Sequence, residues 1–152
     1  METQSSDLIS QLCAKTHFAD ICLGSVKGFV EGAPSLISVL NAEIDAWAEE
    51  TKAAIAQVEK LSKAASSGEK KTLSVCKENY EFSIDSLEKA RNAISACDPG
   101  TLNAELGAVV TYASTCDDAY EESKYVSPLT MVDQTLMSLG SNCLAMAALI
   151  NW

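Results

Sequence analysis

The sequence predicts an all-α protein: an antiparallel up-down-up-down four-helix bundle preceded by an N-terminal helical hairpin. Three observations predict it. Apolar residues recur at alternating spacings of three and four in four successive segments, the signature of one buried face per helix. Turn and helix-stop residues fall between those segments. The composition is 47% apolar with only 6% aromatic and three prolines, which suits closely packed helices better than a β-sandwich. A chain of 152 residues has length for one domain with a core of its own. Residues 7–31 are read as the hairpin and 34–152 as the bundle.

The hairpin comes first. Two short apolar patches surround Cys13 and Cys22, with Lys15-Thr16-His17-Phe18 between them. The interval is enough for one tight helical bend, and a disulfide there would contribute roughly 2–3 kcal/mol by shortening the unfolded chain's freedom. His17 then sits near the bend, as a surface residue.

The first bundle stripe is Ile37, Leu40, Ile44, Trp47, Thr51, Ala54, Val58, Leu61 and Ala65. The second is Leu73, Cys76, Tyr80, Ser83, Leu87, Ala90, Ile94 and Cys97. The third runs Leu102, Leu106, Val109, Ala113, Cys116 and Tyr120, and the fourth Leu129, Val132, Leu136, Leu139, Cys143, Met146 and Ile150. Ser66-Ser67-Gly68 separates the first two. Pro34, Pro99 and Pro128 fall at helix starts, where a missing N–H costs nothing, with Asp98 and Ser127 as N-caps. Short connections make neighbouring helices antiparallel.

If the second and third helices fold back at Asp98-Pro99-Gly100-Thr101, Cys76 and Cys116 arrive at similar heights. The helical rise leaves an offset of roughly 10 Å, which a shift of the turn boundaries would absorb. A disulfide there is compatible with the spacing. Cys97 and Cys143 do not align and are read as buried, unpaired thiols.

Charge and cysteine usage narrow the function. The net charge of −10 and pI near 4.4 disfavour nucleic acid, whose phosphates would be repelled. Six cysteines with one histidine and no Cys-x-x-Cys pair fit disulfides in an oxidising compartment rather than a metal site. No apolar run is long enough to span a membrane. Met1-Glu2-Thr3-Gln4-Ser5-Ser6 has neither the basic nor the apolar part of a signal peptide, so secretion requires one already removed.

Catalytic patterns are weak. Ser74-x-x-Lys77 and Ser86-x-x-Lys89 are too loose to be informative, and no phosphate loop, nucleophile elbow or His-Glu-x-x-His occurs. Glu49-Glu50, Asp117-Asp118 and Glu121-Glu122 are adjacent pairs, which do not share a helix face. No catalytic residue, metal or cofactor is expected.

The segment Cys76-Lys77-Glu78-Asn79-Tyr80-Glu81-Phe82-Ser83-Ile84-Asp85-Ser86-Leu87 resembles the plant invertase and pectin methylesterase inhibitor family. That family carries a Cys-x-Glu-x-Tyr-x-x-Ala-x-Asp-x-Leu-like stretch on its second bundle helix. Cys13 and Cys22 match its N-terminal pair, Thr115-Cys116-Asp117-Asp118 its Thr-Cys-Glu-Asp-like motif, and the stretch from Leu139 through Asn142 to Met146 its closing helix. The resemblance implies disulfides Cys13–Cys22 and Cys76–Cys116. It also implies a secreted, apoplastic inhibitor that is a monomer when free and covers the substrate cleft of a cell-wall enzyme one to one.

Invertase inhibitors of the family resemble one another in a Pro-Lys-Phe motif, and Asp98-Pro99-Gly100-Thr101 keeps only the proline. Pectin methylesterase is therefore the expected target, with acid invertase as the alternative and a scaffold reused for a small ligand or catalysis as a third reading. By the same resemblance Glu78, Asp85, Asn103, Thr115 and Asp118 face the enzyme. Two positions depart from the family pattern. Phe82 stands where an acid is common, and Gly107-Ala108-Val109 replaces a Ser-Ala-Ala-like opening.

Overall fold

The computed structural model describes residues 2–152, with side chains from Asp7 onward. Six helices follow in order: α1 (Glu2–Ala14), α2 (Ala19–Val26), α3 (Leu36–Ala64), α4 (Ser67–Ser95), α5 (Pro99–Glu122) and α6 (Thr130–Ala147). Helices α3 to α6 form a closed ring in which α3 packs on α4, α4 on α5, α5 on α6 and α6 on α3. That is the antiparallel bundle the four stripes predict. The α1–α2 hairpin lies across one end, with α2 on α3 and α6.

The stripes are buried almost throughout. Trp47 and Tyr80 are wholly enclosed, as are Leu40, Leu73, Leu106 and Met146. Each buried Leu or Met contributes roughly 1.5–3 kcal/mol through the area it removes from water. The early part of α3 buries more than one stripe, because Val39, Ala42, Glu43 and Ala46 are enclosed as well. The hairpin explains this: α3 has bundle on one side and α2 on another. Its own apolar residues, Leu12, Cys13, Cys22 and Val26, join the same core. Gly140 marks the closest approach. A Cβ there would stand 2.8 Å from the Trp47 ring and collide with Val110, so only glycine lets the indole lie against α6.

Helix ends follow local chemistry, with two revisions. Ser35 and Ser38 cap α3 reciprocally, each hydroxyl accepting the other's backbone N–H. Ser66 caps α4, and Asp98 caps α5 by accepting from Thr101 N–H, with Pro99 in the first turn. Ser127, expected to cap α6, does not. Its hydroxyl accepts from Leu129 N–H two residues on, forming a turn, and α6 begins only at Thr130 with Leu129 at the cap. Pro34 and Pro128 accordingly lie just before their caps rather than inside the first turn.

Cys97 is the second revision. Expected in the core, it is exposed and adopts φ 52°. Helix α4 has already ended at Ser95. Asp98 N–H reaches back to Ala93 O and Cys97 N–H to Ile94 O, the paired bonds of a Schellman terminus. Cys97 occupies the left-handed position of that motif, so its side chain is turned away from the stripe it would have continued.

Ending α4 there, and starting α5 at Pro99, also removes the offset between the paired cysteines. Cys76 to Ser95 and Pro99 to Cys116 are nearly equal lengths of helix. Cys76 and Cys116 are bonded with their Cα atoms 4.5 Å apart, and Cys13 and Cys22 with theirs 5.5 Å apart. Cys97 and Cys143 are free, Cys143 buried.

Candidate protein-binding face

Helices α4 and α5 carry the five residues singled out from the sequence, and the Cys76–Cys116 bond sets their register. Glu78 and Asp85 are seven residues apart on α4, hence on one face, and both are exposed. Neither has an ion-pair partner among the described residues; nearby Lys77 pairs with Glu59 and Glu81. Phe82 stands between them in sequence and turns toward α5, where its ring lies 5.7 Å from that of Tyr112. It remains 44% exposed, and Val75 a further two turns back is 37% exposed. Apolar contact surface at the α4–α5 seam is thus bordered by two unpaired carboxylates.

The α5 residues do not all join that seam. Thr115 is half-buried and donates its hydroxyl to Thr111 O at 2.9 Å, while Asp118 is exposed on the outward side of the helix. Asn103 lies nine residues before Tyr112, half a revolution away at 3.6 residues per turn. It is exposed on the flank toward α6, the side on which Val110 meets Gly140. The five residues therefore divide between the α4–α5 seam and the outer and far sides of α5.

Behind this face is a polar cluster that the stripes did not reveal. Tyr80 is fully buried, and its hydroxyl donates to Asp133 Oδ1 at 2.5 Å and lies 3.4 Å from Cys116 Sγ. Asp133 of α6 is itself completely buried, and its Oδ2 has no donor. Burial, chiefly, pushes the Asp133 carboxyl up to about 8. Tyr80's hydrogen bond opposes that rise, and Asp117 adds to it by its charge and its hydrogen-bonding proximity. The Tyr80 phenol is raised by burial and then by Asp133. A disulfide, a tyrosine and a carboxyl thus tie α4, α5 and α6 together.

A second buried acid, Glu43 on α3, has neither oxygen hydrogen-bonded, and burial raises it to about 7. Its charge also raises the Cys143 thiol, after burial of that thiol itself. The one histidine, His17, is exposed and meets Ser141 Oγ at 3.2 Å. That contact belongs to the docking of the hairpin. Beside it, the Asn142 amide accepts from Phe18 N–H at 3.1 Å and donates to Phe18 O at 3.0 Å.

The chain is thus a disulfide-braced helical bundle with a polar, partly aromatic outer face. Comparison with known proteins identifies the family. The family model for plant invertase/pectin methylesterase inhibitors matches residues 7–146, and the chain belongs to that family. A pectinesterase inhibitor from Actinidia deliciosa is 31% identical over 118 residues, covering 75% of this chain. The match spans 63% of that relative's length.

Among solved structures, a mutant form of a pectin methylesterase inhibitor from Arabidopsis superposes with a TM-score of 0.78 at 19% identity, over 94% of this chain and 97% of that one. A pectin methylesterase inhibitor from Arabidopsis thaliana gives 0.72, also at 19% identity, over 96% and 97%. At that identity the likeness establishes the shared fold.

Proposed function

We propose that the chain is a secreted inhibitor of pectin methylesterase that binds the enzyme one to one over its substrate cleft. The outer face of α4 and α5 would make the contact. The observation that carries this reading is the α4 face itself. Glu78 and Asp85 are exposed and unpaired on either side of Phe82, on the helix whose sequence most resembles the inhibitor family. A groove that binds an acidic polymer is expected to present basic groups, and these carboxylates are placed to meet them. Phe82, exposed and backed by Tyr112, supplies the kind of aromatic anchor on which interfaces concentrate their energy.

Family membership and the Actinidia deliciosa relative support a pectin methylesterase as the target. The family also includes invertase inhibitors, and the absence of Lys-Phe after Pro99 argues against that branch. The test is to titrate the protein into pectin methylesterase and acid invertase assays side by side. Inhibition of the first at stoichiometric ratio is expected. Inhibition of invertase alone would reassign the target, and inhibition of neither would leave a family scaffold put to another use.

A further inference from the structure

Buried polar groups in a folded protein are nearly always hydrogen-bonded, so a cluster of them without protein partners marks a place where something else binds. Such a cluster lies on α3. Glu43 and Trp47 are fully enclosed, and among the described residues nothing bonds either carboxyl oxygen of Glu43 or the indole Nε1–H of Trp47. The two side chains are four residues apart, hence neighbours on one helix face. Asp133, by contrast, has one of its oxygens met by Tyr80.

Helix α6 closes the other side. A Cβ at residue 140 would stand 2.8 Å from the Trp47 ring, and the Cys143 thiol is near enough to feel the charge of Glu43. In the antiparallel pair, Trp47 therefore faces Gly140 while Glu43 faces Cys143. The indole edge seated against Gly140 fixes the direction of its N–H, and the ring cannot swing to the carboxyl without losing that seat. Neither disulfide spans this seam: one joins α1 to α2, the other α4 to α5.

Chemistry selects the occupant. An indole only donates and an ionised carboxyl only accepts, so a species touching both must accept from one and donate to the other. A metal cation cannot accept from an N–H, and an anion cannot donate to a carboxylate. Water does both, and a buried water typically makes about three hydrogen bonds. It serves the protonated acid as well, by accepting its O–H. Larger hydroxylic molecules have no path to two side chains with no exposed surface.

We propose that an internal water molecule is bound between α3 and α6, accepting from Trp47 Nε1–H and donating to the Glu43 carboxyl, with the Cys143 thiol beside it. It satisfies an acid that the core would otherwise leave unpaired, and it gives a polar contact to a seam that no disulfide braces. The site is independent of the inhibitor reading.

Two measurements test it. The chain holds two tryptophans, so Trp152→Phe leaves one indole N–H signal in the isotope-labelled protein. That signal should show a cross-relaxation peak to water with the sign of a long-lived bound molecule. The peak should persist when Glu43→Gln and Cys143→Ala are combined, since neither side chain then carries a proton that relays exchange with solvent. It should vanish in Glu43→Leu, whose apolar side chain offers water no partner. A crystal structure of the wild type should place a water about 2.7–3.2 Å from both Trp47 Nε1 and a Glu43 oxygen.

A peak retained in Glu43→Leu would overturn the proposal, as would its loss from the folded Gln/Ala combination. So would a crystal structure in which Glu43 bonds Trp47 directly or no density lies between them. The crystal structure decides alone if the variants do not fold.

Discussion

Tyr80 on α4 donates to Asp133 on α6 through a buried hydrogen bond 2.5 Å long, beside the Cys76–Cys116 bridge. The disulfide joins α4 to α5, and this bond extends the tie to α6. Removing the phenol oxygen leaves Asp133 with no donor in a site closed to water. Tyr80→Phe should therefore destabilise the bundle by about 1–3 kcal/mol, the penalty for an unsatisfied buried acceptor. Equilibrium urea unfolding at pH 7 measures it. A loss below a few tenths of a kcal/mol would mean that the phenol's bond to Asp133 adds nothing to the bundle's stability.

The same acid predicts an unusual pH dependence. A carboxyl raised from its ordinary range to about 8 binds a proton in the folded state that the unfolded chain releases near pH 4. Its contribution to stability is fully present below the unfolded value and is lost as pH rises through 8. Glu43, raised to about 7, acts in the same direction. Asp98, lowered by its hydrogen bonds to Thr101, acts in the opposite one, losing its contribution in acid. Asp133→Asn keeps an acceptor for Tyr80 and offers Asp117 an N–H without needing a proton. The variant should match the wild type at pH 4 and exceed it at pH 8 by on the order of 3 kcal/mol. Parallel melting curves across that range would show that Asp133 does not titrate as its surroundings imply.

Asn142 accounts for how the hairpin stays on the bundle. It is fully buried, and its amide closes two hydrogen bonds with the backbone of Phe18, at the bend between α1 and α2. An alanine there leaves the Phe18 N–H unmatched, at about 1–3 kcal/mol, while Phe18 O keeps its bond from Cys22 N–H. Hydrogen exchange should accordingly speed up in α1 and α2 of Asn142→Ala while α4 and α5 keep their protection. Mild reduction of Cys13–Cys22 should add to that effect. Equal loss of protection in α5 would show that hairpin and bundle open as one unit.

Cys97 offers a prediction of the opposite sign. Its left-handed backbone costs any residue with a Cβ about 1 kcal/mol relative to glycine. Its exposed side chain makes no core contact to lose. Cys97→Gly should raise stability by ~0.5–1 kcal/mol, read as a shift of the urea midpoint at constant slope. No gain would mean that the glycine's extra freedom in the unfolded chain offsets the relief.

These residues mark where sequence reasoning reached and where it stopped. The four stripes were legible because burial on a helix repeats every three or four residues, and the third came through without an exception from Leu102 to Tyr120. Cys97 broke the second stripe because periodicity carries no information about where a helix stops, and a cysteine gives no stop signal as a glycine would. Asp133 and Glu43 were missed because a carboxylate one position off a stripe reads as solvated. Glu43 is enclosed beside Cys143 of α6, and Asp133 because it meets Tyr80, which are tertiary facts. The register of Cys76 and Cys116 was approximately legible, and the spread of Asn103 from Tyr112 around α5 was computable once the seam was known.

The α4 face gives the last prediction. The exposed ring of Phe82 rests on Tyr112 between Glu78 and Asp85. If that face meets the enzyme, the ring and the acids should separate in their salt response. Rim ion pairs contribute ~0.2–1 kcal/mol each and are screened, whereas burial of an aromatic anchor contributes 2 kcal/mol or more, on the order of hot-spot values, and is not. Phe82→Ala should weaken inhibition of pectin methylesterase some thirtyfold at low and high salt alike. Glu78→Ala with Asp85→Ala should weaken it several-fold at low salt and hardly at all at high salt. Melting temperatures should stay within a degree or two of the wild type, since all three side chains are on the surface. Equal potency of Phe82→Ala and the wild type at both ionic strengths would remove the aromatic anchor from the interface. If the double variant is equally potent as well, the α4 face is not where the enzyme binds.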